Sequence, residues 1–311
     1  MLAEKRQFGR YFTTKNPFEH AAFFKWAERA NIPNRPILEP FAGQNSLITH
    51  LQALGLCHDF TAFDIAPAHP EVCTRDTLAD FPTGYDICIT NPPWLAKNSA
   101  THRGLPFPDT GYDDLYKFSL SLCLAHCGYV AALVPESFIR QDLFHDRLTD
   151  FISIKKRLFA ETVHPVGLAL FTAEPYGTIH LWSDDSYLGD LASLHHRYLP
   201  NCHHPAADIQ FNHPDGNLGL IAFDNIRTAS IRFCDTDEIA HYHIKHSSRF
   251  ITRIRTRFEV SVDDCNRFLD RFRRDTSDIF LSGYRGLRAD GHYRRRMDYA
   301  LARKIISHVS E

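Results

Sequence analysis

Tyr85-Asp86-Ile87-Cys88-Ile89-Thr90-Asn91-Pro92-Pro93-Trp94 is an apolar run that ends on an amide, two prolines and an indole. The part up to Thr90 reads as a buried strand. It has to stop at the prolines, because each lacks an N–H and holds φ near about −65°. In an open α/β sheet, ligands bind just beyond the carboxyl ends of the strands. There the Asn91 side-chain oxygen and the Pro92 carbonyl offer two acceptors for an NH2 group, and Trp94 offers a flat face for a ring. The stretch reads as a pocket for an exocyclic amine on a heterocycle. A strand that merely ends in a turn is the simpler alternative.

The upstream strand ends decide between these readings. Ile37-Leu38-Glu39-Pro40-Phe41-Ala42-Gly43-Gln44-Asn45-Ser46 reads as a short strand, a glycine turn and a helix start, with Asn45 or Ser46 as the cap. Free N–H groups at such a helix start favour an anion. Asn45 stands where a nucleotide-type turn would place a second glycine, and Asn tolerates the left-handed conformation better than most residues. Phe60-Thr61-Ala62-Phe63-Asp64 is a second strand that ends on a carboxylate, 25 residues past Glu39. An acid about 20 residues beyond the glycine turn of a βαβ unit suits ribose hydroxyls. Val72-Cys73-Thr74 leads to Asp76, which stands on the same rim and offers an acceptor for an adenine amine. Polar groups at successive strand ends are hard to explain as structural coincidence.

Other elements extend the pattern. Asn16-Pro17 predicts a helix start, with Ala22, Phe23, Trp26, Ala27 and Ala30 at helical spacing. Residues 96–113, rich in Gly, Pro and polar residues, predict a mobile loop over the cleft. Asp114 opens a helix, Tyr129 to Pro135 is a fifth strand, and Leu168–Phe171 and Gly177–Trp182 read as two final strands paired antiparallel. The expectation is an α/β fold with a mostly parallel sheet and an antiparallel strand at its edge. After Asp190 the alternation breaks down, which divides the chain into 1–190 and a smaller α+β region at 191–311.

The chain of 311 residues is 44% hydrophobic and 23% charged, ordinary for a globular protein and ample for a core. No apolar run approaches the roughly 18–20 residues needed to cross a membrane. The N-terminal MLAEKRQFGR has no apolar signal region. The eight cysteines include no CxxC pair, so a reduced, cytoplasmic protein is expected. Cys202, His203 and His204 lack a second cysteine pair, and no metal site is expected. Charge is uneven: from His241 onward there are 16 Lys and Arg against 9 Asp and Glu. Arg249, Arg253, Arg255 and Arg257, then Arg294, Arg295 and Arg296, are candidates for contact with a polyanion, and a solvated helical tail is the alternative.

On these residues the chain resembles the S-adenosylmethionine-dependent N6-adenine DNA methyltransferases of restriction-modification systems. Gly9-Arg10-Tyr11-Phe12-Thr13 is similar to that family's N-terminal motif, Glu39 to Gly43 to its cofactor loop, and Asn91 to Trp94 to its catalytic motif. Their order is the family's gamma arrangement. The resemblance covers roughly residues 8–182. It implies a Rossmann-like class I methyltransferase domain at 1–190 and a target-recognition region at 191–311. It also implies cofactor contacts from Tyr11, Thr13, Glu39, Pro40, Gly43, Asp64, Ile65, Asp76, Thr77 and Asn91. Catalysis would fall to Asn91, Pro92, Pro93 and Trp94, with the target base stacked on Trp94 and Phe171. Duplex DNA would be the partner, with a separately encoded endonuclease as companion. RNA adenine, a protein glutamine amide, and a catalytically dead nucleic-acid-binding module are the other readings that these residues permit.

Overall fold

In the computed structural model, which describes residues 13–160, 163–199 and 201–310, the chain divides into two compact units, Met1–Tyr187 and Leu188–Glu311. The apolar runs of the first unit become strands: β1 (Ile37–Glu39), β2 (Phe60–Asp64), β3 (Val72–Thr74), β4 (Ile87–Thr90), β5 (Tyr129–Pro135), β6 (Leu148–Ile154), β7 (Val166–Phe171), β8 (His180–Ser183) and β9 (Ser186–Asp190). They form one nine-stranded sheet in the order β3-β2-β1-β4-β5-β7-β6-β8-β9. The pairings β1–β2, β1–β4, β2–β3 and β4–β5 are parallel. Every residue of β4 and β7 is buried, as expected of strands covered on both faces. The architecture is the mostly parallel, Rossmann-like α/β fold that the resemblance implied. Strand order reverses between β1 and β4, so the switch-point crevice opens where Glu39 and Asn91 stand.

Among the described residues, four helices accompany these strands: α1 (Ala21–Ala30), α2 (Ser46–Ala53), α3 (Lys97–His102) and α4 (Leu115–His126). α1 buries Ala22, Phe23, Trp26, Ala27 and Ala30 as the spacing predicts, and Trp26 Nε1 donates to the Phe171 carbonyl at 2.9 Å. It starts later than expected. Asn16 Oδ1 accepts from the Phe18 N–H at 3.0 Å in a local turn, and the helix begins only after an extended His20.

The antiparallel strand is also misplaced in the sequence reading. β7 is internal, running antiparallel to both β5 and β6. β6 then pairs β8 in parallel, so the strands expected to form a hairpin, β7 and β8, are separated by a strand the sequence reading passed over. Gly167 makes this possible: a Cβ there would collide with the Phe151 ring of β6. Residues 96–113 hold α3 and are tied at their base, where the Lys97 N–H donates to the Asp113 carbonyl at 2.8 Å and Leu115 N–H to Leu95 at 2.9 Å.

The second unit contains α5 (Leu191–Tyr198), β10 (Ile209–Phe211), β11 (Leu218–Ile221), β12 (Arg232–Cys234), β13 (Ile251–Thr256), α6 (Val262–Thr276), β14 (Ser282–Leu287), β15 (Tyr293–Arg296) and α7 (Tyr299–Val309). A four-stranded antiparallel sheet, β10-β13-β11-β12, is accompanied by the β14–β15 hairpin. Asp224 is fully buried and anchors this unit. Its carboxylate accepts from Arg273 at 2.9 and 3.0 Å, from the Ser230 N–H at 2.9 Å and from the Arg295 N–H at 3.1 Å. Among the described residues, no helix is long and apolar enough to cross a membrane.

Candidate active site

A cavity of about 390 Å³ opens at the carboxyl ends of β1, β2 and β4. It gathers Thr13, Glu39, Gly43, Asp64, Ile65, Asp76, Thr77, Asn91 and Pro93, each singled out in the sequence. Residues from Glu39 to Pro93 thereby share one space because their strands are neighbours. Tyr11 lies outside the described residues. Pro40 contributes from behind, its carbonyl accepting from Thr77 Oγ1 at 2.8 Å.

The glycine turn is built on two left-handed residues, Gly43 at φ 54° and Asn45 at φ 61°. Asn45 therefore adopts the conformation for which a second glycine would be used. The turn is clipped to the end of β2. Asp64 Oδ2 accepts from the Gly43 N–H and Oδ1 from the Ala66 N–H, both at 2.8 Å, while the Ala42 N–H reaches the Phe63 carbonyl at 2.8 Å. Asp64 is 6% exposed, yet it lines the cavity. Beside it Ile65 is 64% exposed, a large apolar side chain standing open at the cavity wall. Asp76 is exposed at the rim and caps its own turn through the Leu78 and Ala79 N–H groups.

Glu39 is the electrostatic anomaly. It is 1% exposed, and its Oε1 accepts from Thr90 Oγ1 at 2.7 Å and from the Phe41 N–H at 3.1 Å. Oε2 has no partner among the described residues. Burial pushes its carboxyl up to about 8, against the pull of those two hydrogen bonds. A carboxyl so placed is neutral until a cation arrives.

Asn91 and Pro93 are half-buried on the cavity wall, and Pro92 is buried. Trp94 departs from expectation. Its indole is 9% exposed, meets Phe159 edge-on at 5.4 Å, and directs Nε1 at the Leu133 carbonyl at 3.4 Å. In this conformation it braces the motif against β5 and presents no open face. Phe171 is overturned as a stacking residue: it is fully buried in the core, edge-on to Phe138 at 6.2 Å. Sequence reasoning missed Phe41, Leu47, Leu78, Leu95, Pro106 and Leu115, which supply the apolar lining. Phe41, Leu78 and Leu95 follow polar strand ends closely in the chain, whereas Leu47, Pro106 and Leu115 are brought in by α2, the loop after α3 and the start of α4.

The basic residues of the second unit separate into two groups. On β13, Thr252, Ile254 and Thr256 are buried while Arg253 is half-buried and Arg255 exposed, so the alternation turns both arginines outward. Arg249 and Arg257 are exposed as well, and Arg257 lies 3.3 Å from Asp208. The second cluster is structural. Arg295 is 2% exposed, which corrects its expected role on a surface. Arg294 donates to the Asp224 and Arg285 carbonyls at 2.9 and 3.0 Å and lies over the Tyr284 ring. Arg296, half-buried, pairs with Ser282 across the hairpin. Among the described residues, no cluster of His, Cys, Asp or Glu has the makings of a metal site, and the cysteines are all free thiols.

No family model matches this chain, and no curated protein does. Solved structures resemble it distantly. One is a Listeria monocytogenes protein described as a class I S-adenosylmethionine-dependent methyltransferase, at 16% identity and a TM-score of 0.40, covering 58% of this chain and 70% of that one. Another is the methyltransferase subunit of a type I restriction-modification system from Streptococcus thermophilus, at 14% identity and a TM-score of 0.38, covering 55% of this chain and 47% of that one. A third is the DrdV–DNA complex, at 14% identity and a TM-score of 0.41, covering 60% of this chain and 28% of that one. The chain thus spans about half or less of the two restriction-modification and DNA-complex structures. At these scores, the strand order and the cavity of this chain carry its reading.

Proposed function

We propose that the protein transfers a methyl group from S-adenosylmethionine to the N6 amino group of an adenine turned out of duplex DNA. The observation that carries this is a shared space: Asn91 opens onto the same cavity as Glu39, Asp64 and Asp76. An acceptor suited to an amine and a set of groups suited to an amino-acid-bearing nucleoside thus face each other.

The residues fit the cofactor. Glu39, buried with Oε2 unsatisfied among the described residues, suits its ammonium group. Asp64 spends one acceptor site of each oxygen on a backbone amide, and a carboxylate has about four such sites, which leaves room for ribose hydroxyls. Ile65 offers an apolar surface for the adenine ring, Asp76 an acceptor for its amine, and Thr13 closes the far end of the lining. When bound, the cofactor supplies an electrophilic methyl on a sulfonium.

The chain's part is to prepare the amine. An adenine N6 lone pair is delocalised into the ring. Hydrogen bonds from its N–H groups to the Asn91 side-chain oxygen and the Pro92 carbonyl return density to nitrogen, and positioning supplies much of the acceleration. Pro93, Leu95 and Pro106 give the apolar walls. Extruding the base costs a few kcal/mol. Arg249, Arg253, Arg255 and Arg257 serve as phosphate contacts in this reading, positioning the duplex without reading its sequence. A separately encoded endonuclease with the same recognition sequence is the companion it implies.

The test is transfer of labelled methyl groups. Duplex DNA becomes labelled at adenine N6, and Asn91→Ala loses that activity while still binding cofactor. Labelling of structured RNA in place of DNA would overturn the substrate, and absence of cofactor binding would overturn the reading as a whole.

A further inference from the structure

A second cavity in the first unit, of about 280 Å³, has no part in that reaction. It lies where β6 and β8 begin, and the register partners Asp150 and His180 both line it. β5 and β6 both run antiparallel to β7, so β6 begins at the rim opposite the one that carries Asn91. Its walls are rings. Tyr176, His180, Tyr187 and Trp182 form a continuous series with centroids 6.1, 5.8 and 4.8 Å apart. Tyr176 is 42% and Tyr187 52% exposed. A connected set of rings this open to water offers stacking surface.

The charges narrow the guest. Lys25 and Arg29, one turn apart on α1, line the same cavity, and neither has an acidic partner among the described residues. The Arg29 guanidinium lies 5.2 Å from the centroid of Tyr176. The protein's own cation thus fills the position that a cationic guest would take over that ring. The cavity's carboxylate, Asp150, accepts from Trp182 Nε1 at 2.9 Å through Oδ1, which leaves its other oxygen as an acceptor. Flat faces, two cations and one acceptor are what a base, a phosphate and a base amine require.

We infer that this cavity binds a nucleotide unit carrying an amine-bearing base. The base stacks among the four rings, its NH2 donates to Asp150, and its phosphate pairs with Lys25 and Arg29. Stacking admits any base, while a carboxylate acceptor favours one such as cytosine, whose N4 is a donor. The inference is independent of the methyl-transfer reading, because it uses none of the residues of the first cavity.

Calorimetric titration of the full chain with deoxycytidine monophosphate, inorganic phosphate and a short oligo(dC) tests it. Photo-crosslinks formed by iododeoxycytidine monophosphate are mapped alongside by mass spectrometry. Deoxycytidine monophosphate binds, Arg29→Ala and Trp182→Leu each weaken it roughly tenfold or more, and the crosslinks fall on Tyr176, Trp182 or Tyr187. An oligonucleotide that binds more tightly than the monomer identifies a strand as the source, and equal affinity identifies the free nucleotide. Crosslinks in the first cavity, phosphate binding as tight as nucleotide binding, or affinity unchanged in Arg29→Ala would each overturn the inference.

Discussion

The Gly43 N–H donates to Asp64 Oδ2 at 2.8 Å, and the same carboxylate takes the Ala66 N–H through Oδ1 at 2.8 Å. The acid expected to hold a ribose is therefore also the post to which the glycine turn is tied. Recognition and loop geometry rest on one side chain.

Asp64→Asn separates these duties. An amide has one oxygen, so one of the two backbone N–H groups loses its acceptor, at a cost of about 1–3 kcal/mol. Urea denaturation without any ligand is expected to show that loss. An unchanged midpoint would restrict Asp64 to ligand contact.

Glu39 carries a proton at neutral pH, because burial pushes its carboxyl up to about 8. A folded-state value above the ordinary carboxylate range means that the folded chain binds the extra proton. Stability from this group is therefore fully present at low pH and falls as pH rises from about 4.5 to about 8. Capture of an ammonium group by Glu39 is expected to expel about one proton at pH 7. Calorimetry of S-adenosylmethionine binding in buffers of different ionisation enthalpy reads this directly, and Glu39→Gln abolishes the release.

Asn45 is left-handed at φ 61°. Asn45→Gly is expected to keep the turn and the stability of the chain within a few tenths of a kcal/mol. Asn45→Ala carries a β-carbon into that conformation, at a cost of roughly 1–2 kcal/mol. Paired denaturation curves distinguish the two.

In the second unit, burial alone would raise the Asp224 carboxyl, but Arg273 and the Ser230 and Arg295 amides outweigh it and hold the group below its ordinary range. Its contribution is present above the unfolded-state value and is lost as pH falls through the folded one. Asp224→Ala takes one of two carboxylates from Arg273, which keeps Asp278, and removes the acceptor of the Ser230 and Arg295 N–H groups, at an expected cost of about 1–3 kcal/mol for each buried group left unsatisfied. Chemical denaturation at neutral pH measures it, and Asp224→Asn, which keeps the shape, is expected to lose less.

The arginine groups differ in a way that salt titration exposes. Arg255→Ala is expected to weaken duplex binding evenly across sequences and to reduce the slope of log affinity on log salt by about one. Arg295→Ala is expected to lower the melting temperature instead, because its side chain is buried.

Strands β1 to β5 and the polar groups at their ends were legible because a buried parallel strand is an apolar run with a sharp stop, and Gly, Pro and Asp mark the stops. Asn45 was legible for the same local reason: its φ is set by its own turn. β6 was not, since nothing near Leu148–Ile154 announces that it inserts between β7 and β8. Phe171 and Trp94 were misread because an aromatic beside a site and an aromatic in the core are the same letter. Arg294 to Arg296 looked like a surface cluster, and Asp224, whose carbonyl accepts from the Arg294 side chain and whose carboxylate accepts from the Arg295 N–H, stands 70 residues upstream of Arg294.

By itself, then, the chain determines which chemical groups stand at which strand ends, because that follows from local conformation and periodicity. Only the tertiary structure decides which of those groups share a cavity, which ring is enclosed and which arginine is spent on a buried acid. Each of these is a choice of partner made across long sequence separations, and burial is the work of the partner.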